Sequence, residues 1–284
     1  MDFRTIFGLI FSVALFASGF VLHGNIGLFF NLSGLLIVVG GTLGATLICY
    51  PASRLQIVYR VLRYSFRQPG KRASDIVGIM VDLSVKSRFK GLLSLQEDEE
   101  ETSLMALRTA LGYLVDGYSE QQIRDLLNTE MYFFRMRRDD SERVLRTMAD
   151  LFPSFGIIGS VVGLIGMIAG VGDTAVILKT VPIALTSTLY GIVFSNFFFV
   201  PFAARLHERT NQELLLQKIV MEGVAAISSE VNPRLLEVKL KSFLTPASRA
   251  GKLVSLRRIQ KRFHIKKENE SAQDAAVEQA PVAT

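Results

Sequence analysis

The sequence has few of the residues on which covalent cross-links and chemical sites depend. Its 284 residues include one cysteine, Cys49, and three histidines that lie far apart, His23, His207 and His264. A single cysteine excludes an intramolecular disulfide, and we interpret it as a buried apolar thiol. The sequence contains no glycine-rich phosphate loop, no Cys/His metal-ligand spacing and no nucleophile with a nearby base. We therefore expect no enzymatic activity, no resident cofactor and no metal site.

Charge is absent from four apolar stretches of the chain. They cover about residues 6–22, 29–49, 152–171 and 181–203, and none contains Asp, Glu, Lys, Arg or His. About 20 apolar residues, at about 1.5 Å each, cross the hydrocarbon core of a bilayer. The sequence thus predicts an all-α membrane protein with four transmembrane helices. Because the second stretch follows the first after a few residues, we expect an uncleaved hairpin rather than a signal peptide.

Positive charge is concentrated outside these stretches. Of the 32 Lys and Arg residues, 16 lie in 51–150 and 14 lie beyond residue 203. Lys and Arg are retained on the cytoplasmic side of a membrane, so we expect both termini and the middle segment to be cytoplasmic, and we do not expect nucleic-acid binding. The predicted domains are a transmembrane hairpin (1–50), a helical cytoplasmic domain (51–150), a second hairpin (151–203), a helical extension (204–250) and a tail that is basic and then disordered (251–284).

The chain beyond the fourth stretch combines an amphipathic pattern with positive charge. Apolar periodicity predicts a long helix over 204–230. Eleven cations lie between Arg234 and Lys267, interleaved with apolar residues. We expect this basic region to lie on anionic lipid headgroups.

Small residues form one face on each of the last two apolar stretches. Five glycines recur in the third stretch at spacings of three and four residues, which confines them to an arc of roughly 80° at about 100° per residue. Glycine lets another helix backbone approach closely in a membrane. We predict that these glycines, with two small residues of the fourth stretch, pack against the helix of a partner: Gly156, Gly159, Gly163, Gly166, Gly170, Ala184 and Gly191.

Neither small-residue face carries an ionisable group, although a cation transporter usually needs one at membrane depth. Either the chain moves no ions, or its faces surround a partner helix that supplies the carboxylate. In the second case we expect an ion pathway lined by the hydroxyls of Ser160, Thr188, Thr186 and Ser187, which ligate a cation or hold water beside the partner's group. The alternative is that these hydroxyls only bond their own helix backbone.

The segment SVKSRFKGLLSLQEDEEE, residues 84–101, changes from three cations to a run of acids. The cations are Lys86, Arg88 and Lys90, and the acids begin at Glu97. One interpretation is a solvated surface whose acids stabilise the start of the following helix. The other is a docking face of both signs for a charged partner protein.

Four blocks of sequence together resemble the MotA/PomA family, the A subunit of the bacterial flagellar stator. The blocks are FNLSGLLIVVGGTLGATLI, PSFGIIGSVVGLIGM, ALTSTLYGIVFSN and NPRLLEVKLKSFLTP, and the resemblance covers about residues 5–249. It implies a pentameric ring of A subunits in the bacterial inner membrane. The ring surrounds two single-span B subunits of the MotB/PomB type, which carry the ion-binding aspartate. Ion flow then turns the ring against the rotor protein FliG.

The resemblance also implies roles for individual residues. Pro153 and Pro201 match the family's two functional prolines near the cytoplasmic ends of the third and fourth spans, and each can bend its helix in a conformational step. Sodium-type members of the family carry threonine at the positions of Ser160 and Thr188. Serine at position 160 keeps the hydroxyl oxygen, so we favour sodium over the proton as the coupling ion.

The rotor-facing surface follows from the same resemblance. Arg88 matches the family's rotor-facing cation, with Lys86 and Lys90 beside it. The family's acidic partner residue aligns with Gln96, so we expect Glu97 or Asp98 to make that contact.

Two other functions remain open from the residues alone. An energiser of the ExbB/TolQ type shares the principle of a ring around a carboxylate-bearing helix, but such proteins typically have three spans and an outside N-terminus. A passive membrane scaffold would use the glycine faces only to assemble an oligomer.

Overall fold

Helices make up the regular structure of the described chain. The computed structural model describes residues 11, 14–16, 18–19, 22, 26–67, 72–102 and 104–246, and it has no strand within these ranges. The helices are α1 (Leu32–Cys49), α2 (Ala52–Arg67), α3 (Ala73–Lys90), α4 (Gln96–Glu101), α5 (Met105–Val115), α6 (Glu120–Ala169), α7 (Thr174–Val193), α8 (Val200–Ser228) and α9 (Pro233–Lys241). A π-helix, Phe194–Phe199, joins α7 to α8. The predicted all-α class is confirmed.

Three described helical stretches are long and apolar enough to cross a membrane. They are α1, α6 and the continuous stretch Thr174–Ser228 that α7, the π-helix and α8 form. These stretches contain most of the predicted spans at 29–49, 152–171 and 181–203. The predicted span at 6–22 lies mostly outside the described residues, so the count of four spans stays a prediction.

The helix α6 is much longer than the span predicted within it. It contains 50 residues, which corresponds to about 75 Å at about 1.5 Å per residue. Its first part carries many charged residues, whereas 151–169 carries no Asp, Glu, Lys, Arg or His. A charged helix and an apolar span are therefore one continuous element, and Pro153 lies inside it.

The chain forms two compact units, each built from two separate stretches. The first unit comprises the described residues of Met1–Gly70 and Phe133–Gln212, and the second comprises those of Lys71–Tyr132 and Glu213–Thr284. The predicted domain boundaries follow the expected membrane surfaces instead, and they stay predictions. His23, His264 and the predicted tail, 251–284, lie outside the described residues. Cys49 is exposed at the end of α1, so the prediction of a buried thiol is wrong.

Capping residues and one core position the helices of the first unit. Asn31 begins α1 by accepting the N–H of Gly34 on its side-chain Oδ1 at 2.9 Å. Asp173 begins α7 by accepting the N–H of Ala175 at 2.9 Å. Such caps satisfy backbone donors that the first helical turn leaves free. The core brings together buried apolar side chains from α1, α2, α6 and α8, among them Val38, Val58, Phe152 and Leu206.

The second unit has its own core, built from α3, α5, α9 and parts of α6 and α8. Its buried members include Met80, Leu111, Ile123, Ile219 and Leu236. At Gly223 an added Cβ would lie 2.5 Å from the Cε of Met80, so α8 and α3 approach closely at that position.

A buried carboxylate connects three helices of this second unit. Glu222 of α8 lies 2.8 Å from the Nζ of Lys239 on α9 and 3.1 Å from the Nη1 of Arg124 on α6. Burial raises the pKa of Glu222, but the hydrogen bonds from Lys239 and Arg124 outweigh that effect and leave the pKa below its ordinary value. The carboxylate therefore stays charged and contributes to the attachment of α9.

Candidate functional site

The glycine face of α6 packs against α7 of the same chain. An added Cβ would lie 2.5 Å from the Cβ of Ser187 at Gly159 and 2.6 Å from the backbone N of Ala184 at Gly163. At Gly170, the residue after α6, an added Cβ would overlap the Cγ1 of Val176. The contacts run in opposite chain directions, so α6 and α7 form an antiparallel hairpin. Only residues without bulky side chains permit this distance between two membrane helices.

The contact between the two spans includes all seven small residues of the prediction: Gly156, Gly159, Gly163, Gly166, Gly170, Ala184 and Gly191. That these residues also receive the helix of a partner stays a prediction. On the α7 side, an added Cβ at Gly191 would lie 2.6 Å from the carbonyl oxygen of Phe152. Consecutive spans joined by a short turn are the nearest partners available, and each supplies a small-residue face to the other.

Ser160 and Thr188, two of the predicted ion-pathway residues, are in contact. Their hydroxyls are hydrogen-bonded to each other, and the Ser160 hydroxyl also lies 2.6 Å from the carbonyl oxygen of Ala184. Thr188 can donate to Ser160 while Ser160 donates to that carbonyl. Both side chains are half-buried. The hairpin thus gathers three oxygen atoms at one level, which is a ligand type that hard cations favour.

Thr186 and Ser187 occupy a different position. Both are buried, and their hydroxyls donate to the carbonyls of Pro182 and Ile183 on their own helix at 2.7 and 2.6 Å. They face α1, since an added Cβ at Gly34 would lie 2.8 Å from the Oγ of Ser187. The structure therefore separates the four predicted ion-pathway residues. One pair lines the half-buried side of the hairpin, and the other pair fills the contact with α1.

Ser195 completes a hydrogen bond that Pro153 removes from α6. Proline has no N–H, so the carbonyl of Ala149, four residues earlier, lacks its usual donor. The Ser195 hydroxyl donates to this oxygen at 2.7 Å. Ser195 and Ala149 are both buried, so water does not readily replace the missing donor. The sequence signal for this contact was the proline at position 153, which leaves a carbonyl without a donor.

Pro201 lies two residues beyond Phe199, the last residue of the π-helix. There the N–H of Val200 donates to the carbonyl of Ser195, five residues earlier. Prolines and π-helical turns are both recognised causes of helix bending. The π-helix also contains Ser195, so the irregular regions at Pro153 and Pro201 are connected through one side chain.

The cation-to-acid segment forms an ion pair within the second unit. Lys86 is buried, and its Nζ lies 2.6 Å from the Oδ2 of Asp98 and 3.8 Å from the Oε2 of Glu97. The structure therefore pairs Lys86 with Asp98 between α3 and α4, and the rotor contact of these two residues stays a prediction.

The other predicted rotor-facing residues are exposed. Arg88, Lys90 and Gln96 are accessible, and the Glu97 side chain is 87% exposed. Lys90, Gln96 and Glu97 border a cleft of about 380 Å³ together with Lys86, Leu93 and Ser94. Of the two acids expected to replace the family's carboxylate at Gln96, Glu97 is the more accessible one.

No group of three or more His, Cys, Asp or Glu side chains that could hold a metal ion occurs in the part of the chain that the structure describes. The oxygen cluster at Ser160 is the candidate ion site in these residues. A model of the MotA/TolQ/ExbB proton channel family matches residues 96–218. The chain is 32% identical to chemotaxis protein PomA of Vibrio alginolyticus over 250 residues, which cover 88% of this chain and 98% of that protein. The chain belongs to the MotA/PomA family.

Other MotA/PomA proteins agree with this assignment. Motility protein A of Treponema pallidum is 32% identical over 249 residues, covering 88% of this chain and 96% of the relative. The solved flagellar MotAB stator complex of Bacillus subtilis matches with a TM-score of 0.79 and 26% identity, over 86% of this chain and 96% of that one. The C. jejuni MotAB structure has a TM-score of 0.81 at 24% identity, over 89% of this chain and 100% of that one, and shows the same fold.

Membership in the MotA/PomA family agrees with the apolar helices in identifying a membrane protein. The relatives named above are motility, chemotaxis and stator proteins rather than enzymes. The resemblance predicted from the four sequence blocks is confirmed.

Proposed function

We propose that this chain is the ion-conducting A subunit of a flagellar stator, which forms a channel with a B-type subunit and couples cation flow to torque on the rotor. The observation that carries the proposal is the contact of Ser160 with Thr188 in a hairpin whose described spans lack a carboxylate. These hydroxyls can ligate an ion, but a transport cycle usually needs an ionisable group at membrane depth. A partner span that supplies a carboxylate meets this need, and the B subunit of the solved MotAB complexes supports such a partner.

The proposal includes an assembly in the bacterial inner membrane with both termini cytoplasmic. A pentameric ring of these chains would surround the B-type subunits. The ring would turn against the rotor protein FliG. Apolar side chains on the outside of the spans support further packing against neighbouring chains and lipid: Ile48 is 88% exposed, Ile157 62% and Ile168 67%. The similarity to PomA across nearly its whole length favours this function over an ExbB/TolQ-type energiser or a passive scaffold.

We also propose sodium as the coupling ion. The Ser160 hydroxyl, the Thr188 hydroxyl and the Ala184 carbonyl present oxygen atoms and no ionisable group. This composition suits ligation of a hard cation better than proton relay. The measurement is swimming speed against external sodium at fixed pH, with potassium replacing sodium at constant ionic strength. A speed that does not change with sodium would exclude sodium coupling and leave the stator function intact.

A substitution at Thr188 tests the ion pathway itself. Thr188→Val removes the oxygen and keeps the shape, so we expect ion flow and motility to fall while the chain and its B-type partner still purify together. Thr188→Ser keeps the hydroxyl and serves as the matched control, with motility largely retained. Equal motility in the Val and Ser variants would contradict a role for this oxygen, and loss of the complex in the Val variant would assign Thr188 to packing.

The prolines and the exposed charges complete the proposal. Pro153 and Pro201 would act in the conformational step, which their irregular hydrogen bonding and the shared contact at Ser195 support. Arg88, Lys90 and Glu97 would dock the rotor, since their side chains are exposed.

A further inference from the structure

The helix α2 carries positive charge without acidic residues. Its sequence, ASRLQIVYRVLRYSFR, contains four arginines and neither Asp nor Glu. The first arginine, Arg54, is paired with Asp140 of α6, with 2.8 Å between Nη1 and Oδ2. Arg60 and Arg63 are exposed and form no ion pair with any residue that the structure describes. They remain available for an anionic ligand from outside the chain.

The opposite face of α2 is anchored in the core of the first unit. Val58 is buried, and Leu55, Val61 and Leu62 pack against the same cluster. At about 100° per residue, Arg60 and Arg63 lie on the side of the helix roughly opposite Val58. Tyr59, 67% exposed, and Ile57, 46% exposed, flank the two arginines. The outer face therefore combines two positive charges with an aromatic and an aliphatic side chain.

The start of α2 coincides with the end of the apolar spans. Only Tyr50 and Pro51 separate it from the last residue of α1. The Tyr50 hydroxyl lies 3.0 Å from the Thr147 hydroxyl on α6. Thr147 is three residues before Asp150, the last charged residue ahead of the apolar part of α6. The helix α2 thus begins at the level where the hydrocarbon region ends.

We propose that the outer face of α2 binds the phosphate headgroups of anionic phospholipids through Arg60 and Arg63. Each Lys or Arg near an anionic membrane surface contributes about 1 kcal/mol of attraction. Tyrosine favours the interface, and arginine extends its aliphatic stem along apolar material while its guanidinium reaches the headgroups. A second copy that packs through the same face is a poorer occupant, because two identical faces would bring like charges together.

The two lysines of α9 differ from the arginine pair of α2 because they have carboxylate partners within the chain. The sequence pattern had predicted a lipid-binding region that includes α9. Lys239 is paired with Glu222 and Lys241 with Glu237, each at 2.8 Å between Nζ and a carboxylate oxygen. Internal partners therefore already neutralise these lysines. Among the described residues, the arginine pair of α2 is the better lipid site.

The test measures lipid binding by the full chain in the complex in which it purifies. Native mass spectrometry follows the binding of phosphatidylglycerol and, separately, of phosphatidylcholine with the same acyl chains. We expect Arg60→Gln/Arg63→Gln to weaken phosphatidylglycerol binding about thirty-fold, which corresponds to the loss of two such charges, and to leave phosphatidylcholine binding unchanged. Arg108→Gln/Arg137→Gln removes two exposed helical arginines elsewhere and should bind both lipids like the unmodified chain.

Two further measurements test the proposal even if Arg60→Gln/Arg63→Gln is unstable. Arg60→Lys/Arg63→Lys retains the charge and should retain most of the phosphatidylglycerol binding. Binding to the unmodified complex should weaken as NaCl is raised, because salt screens exposed charges. The proposal is overturned if phosphatidylglycerol binding does not depend on salt, or if both glutamine variants bind equally. A changed subunit count in Arg60→Gln/Arg63→Gln with unchanged lipid binding would also overturn it, since the face would then be an interface between chains.

Discussion

Replacing Ser195 by alanine tests the hydrogen bond that compensates for Pro153. The substitution removes the hydroxyl that donates to the Ala149 carbonyl at 2.7 Å, without adding volume. Ser195 is 5% exposed and Ala149 3%, so the carbonyl is left without ready access to water. We therefore expect a loss of stability that is large for the removal of one oxygen atom.

Two magnitudes bracket the expected loss. Leaving a buried hydrogen-bonding group unsatisfied costs about 1–3 kcal/mol in proteins generally. Hydrogen bonds between membrane helices contribute about 0.6 kcal/mol on average and about 1.7 kcal/mol at most. Because Ala149 has lost its intrahelical donor to a proline, we expect the upper part of the membrane range, about 1–1.7 kcal/mol. The assay is the fraction of intact purified complex after heating, followed by size-exclusion chromatography.

A double-mutant cycle with Pro153→Ala separates this bond from any other role of Ser195. The alanine restores an N–H that can donate to the Ala149 carbonyl, so Ser195→Ala should then cost about 1 kcal/mol less than with Pro153 present. Ser154→Ala is the matched control. It removes an exposed hydroxyl that donates to the backbone carbonyl of Asp150, on the same helix, at 2.9 Å. Stability should not change. If Ser195→Ala costs the same whether Pro153 is kept or replaced, the reasoning is refuted.

Three further substitutions test other parts of the structure. Gly163→Leu should prevent recovery of the folded chain, because even a Cβ would lie 2.6 Å from the backbone N of Ala184. Gly44→Ala is the control and should be tolerated, because no described atom outside the backbone of its own helix lies within 4 Å of an added Cβ. Normal recovery of Gly163→Leu would contradict the close packing. Glu222→Gln should lower stability by about 1–3 kcal/mol near neutral pH. The pKa of Glu222 is lowered in the folded chain, so its contribution to stability is present above the ordinary carboxyl pKa and is lost as pH falls through the folded pKa. The assignment would be refuted if the difference in thermal stability between Glu222→Gln and the unmodified protein were the same at every pH. Glu97→Lys should reduce motility while the complex still purifies, because the side chain is 87% exposed, and unimpaired motility would argue against rotor docking at this residue.

The small-residue hairpin illustrates what local spacing can and cannot predict. The recurrence of Gly159 and Gly163 indicated a close helix contact, because helical periodicity alone decides which residues share a face. It did not indicate the partner of that face. The contact of Gly163 with Ala184 depends on how α6 and α7 align after the turn at Gly172, and the glycine pattern alone does not specify this alignment.

The cations of α3 also show what local spacing can and cannot predict. The sequence singled out Lys86, Arg88 and Lys90 as one cationic cluster, since they follow each other at every second residue. Burial separates them, because Lys86 turns toward Asp98 whereas Arg88 and Lys90 face outward. A spacing of two residues places Lys86 and Arg88 about 200° apart on α3. Lys90 lies only about 40° from Lys86 and is exposed as the last residue of the helix, so the packing around α3, rather than the spacing, decides which cations are buried.

The sequence by itself determined the helical class, the apolar spans within the described chain and the MotA/PomA resemblance, because these depend on composition, periodicity and local motifs. Only the tertiary structure decided that Ser160 meets Thr188, that Ser195 bonds the carbonyl freed by Pro153 and that Arg54 of α2 is paired with Asp140. Those contacts join residues far apart in the chain. They depend on the angle and register at which helices pack, and local preferences do not specify either.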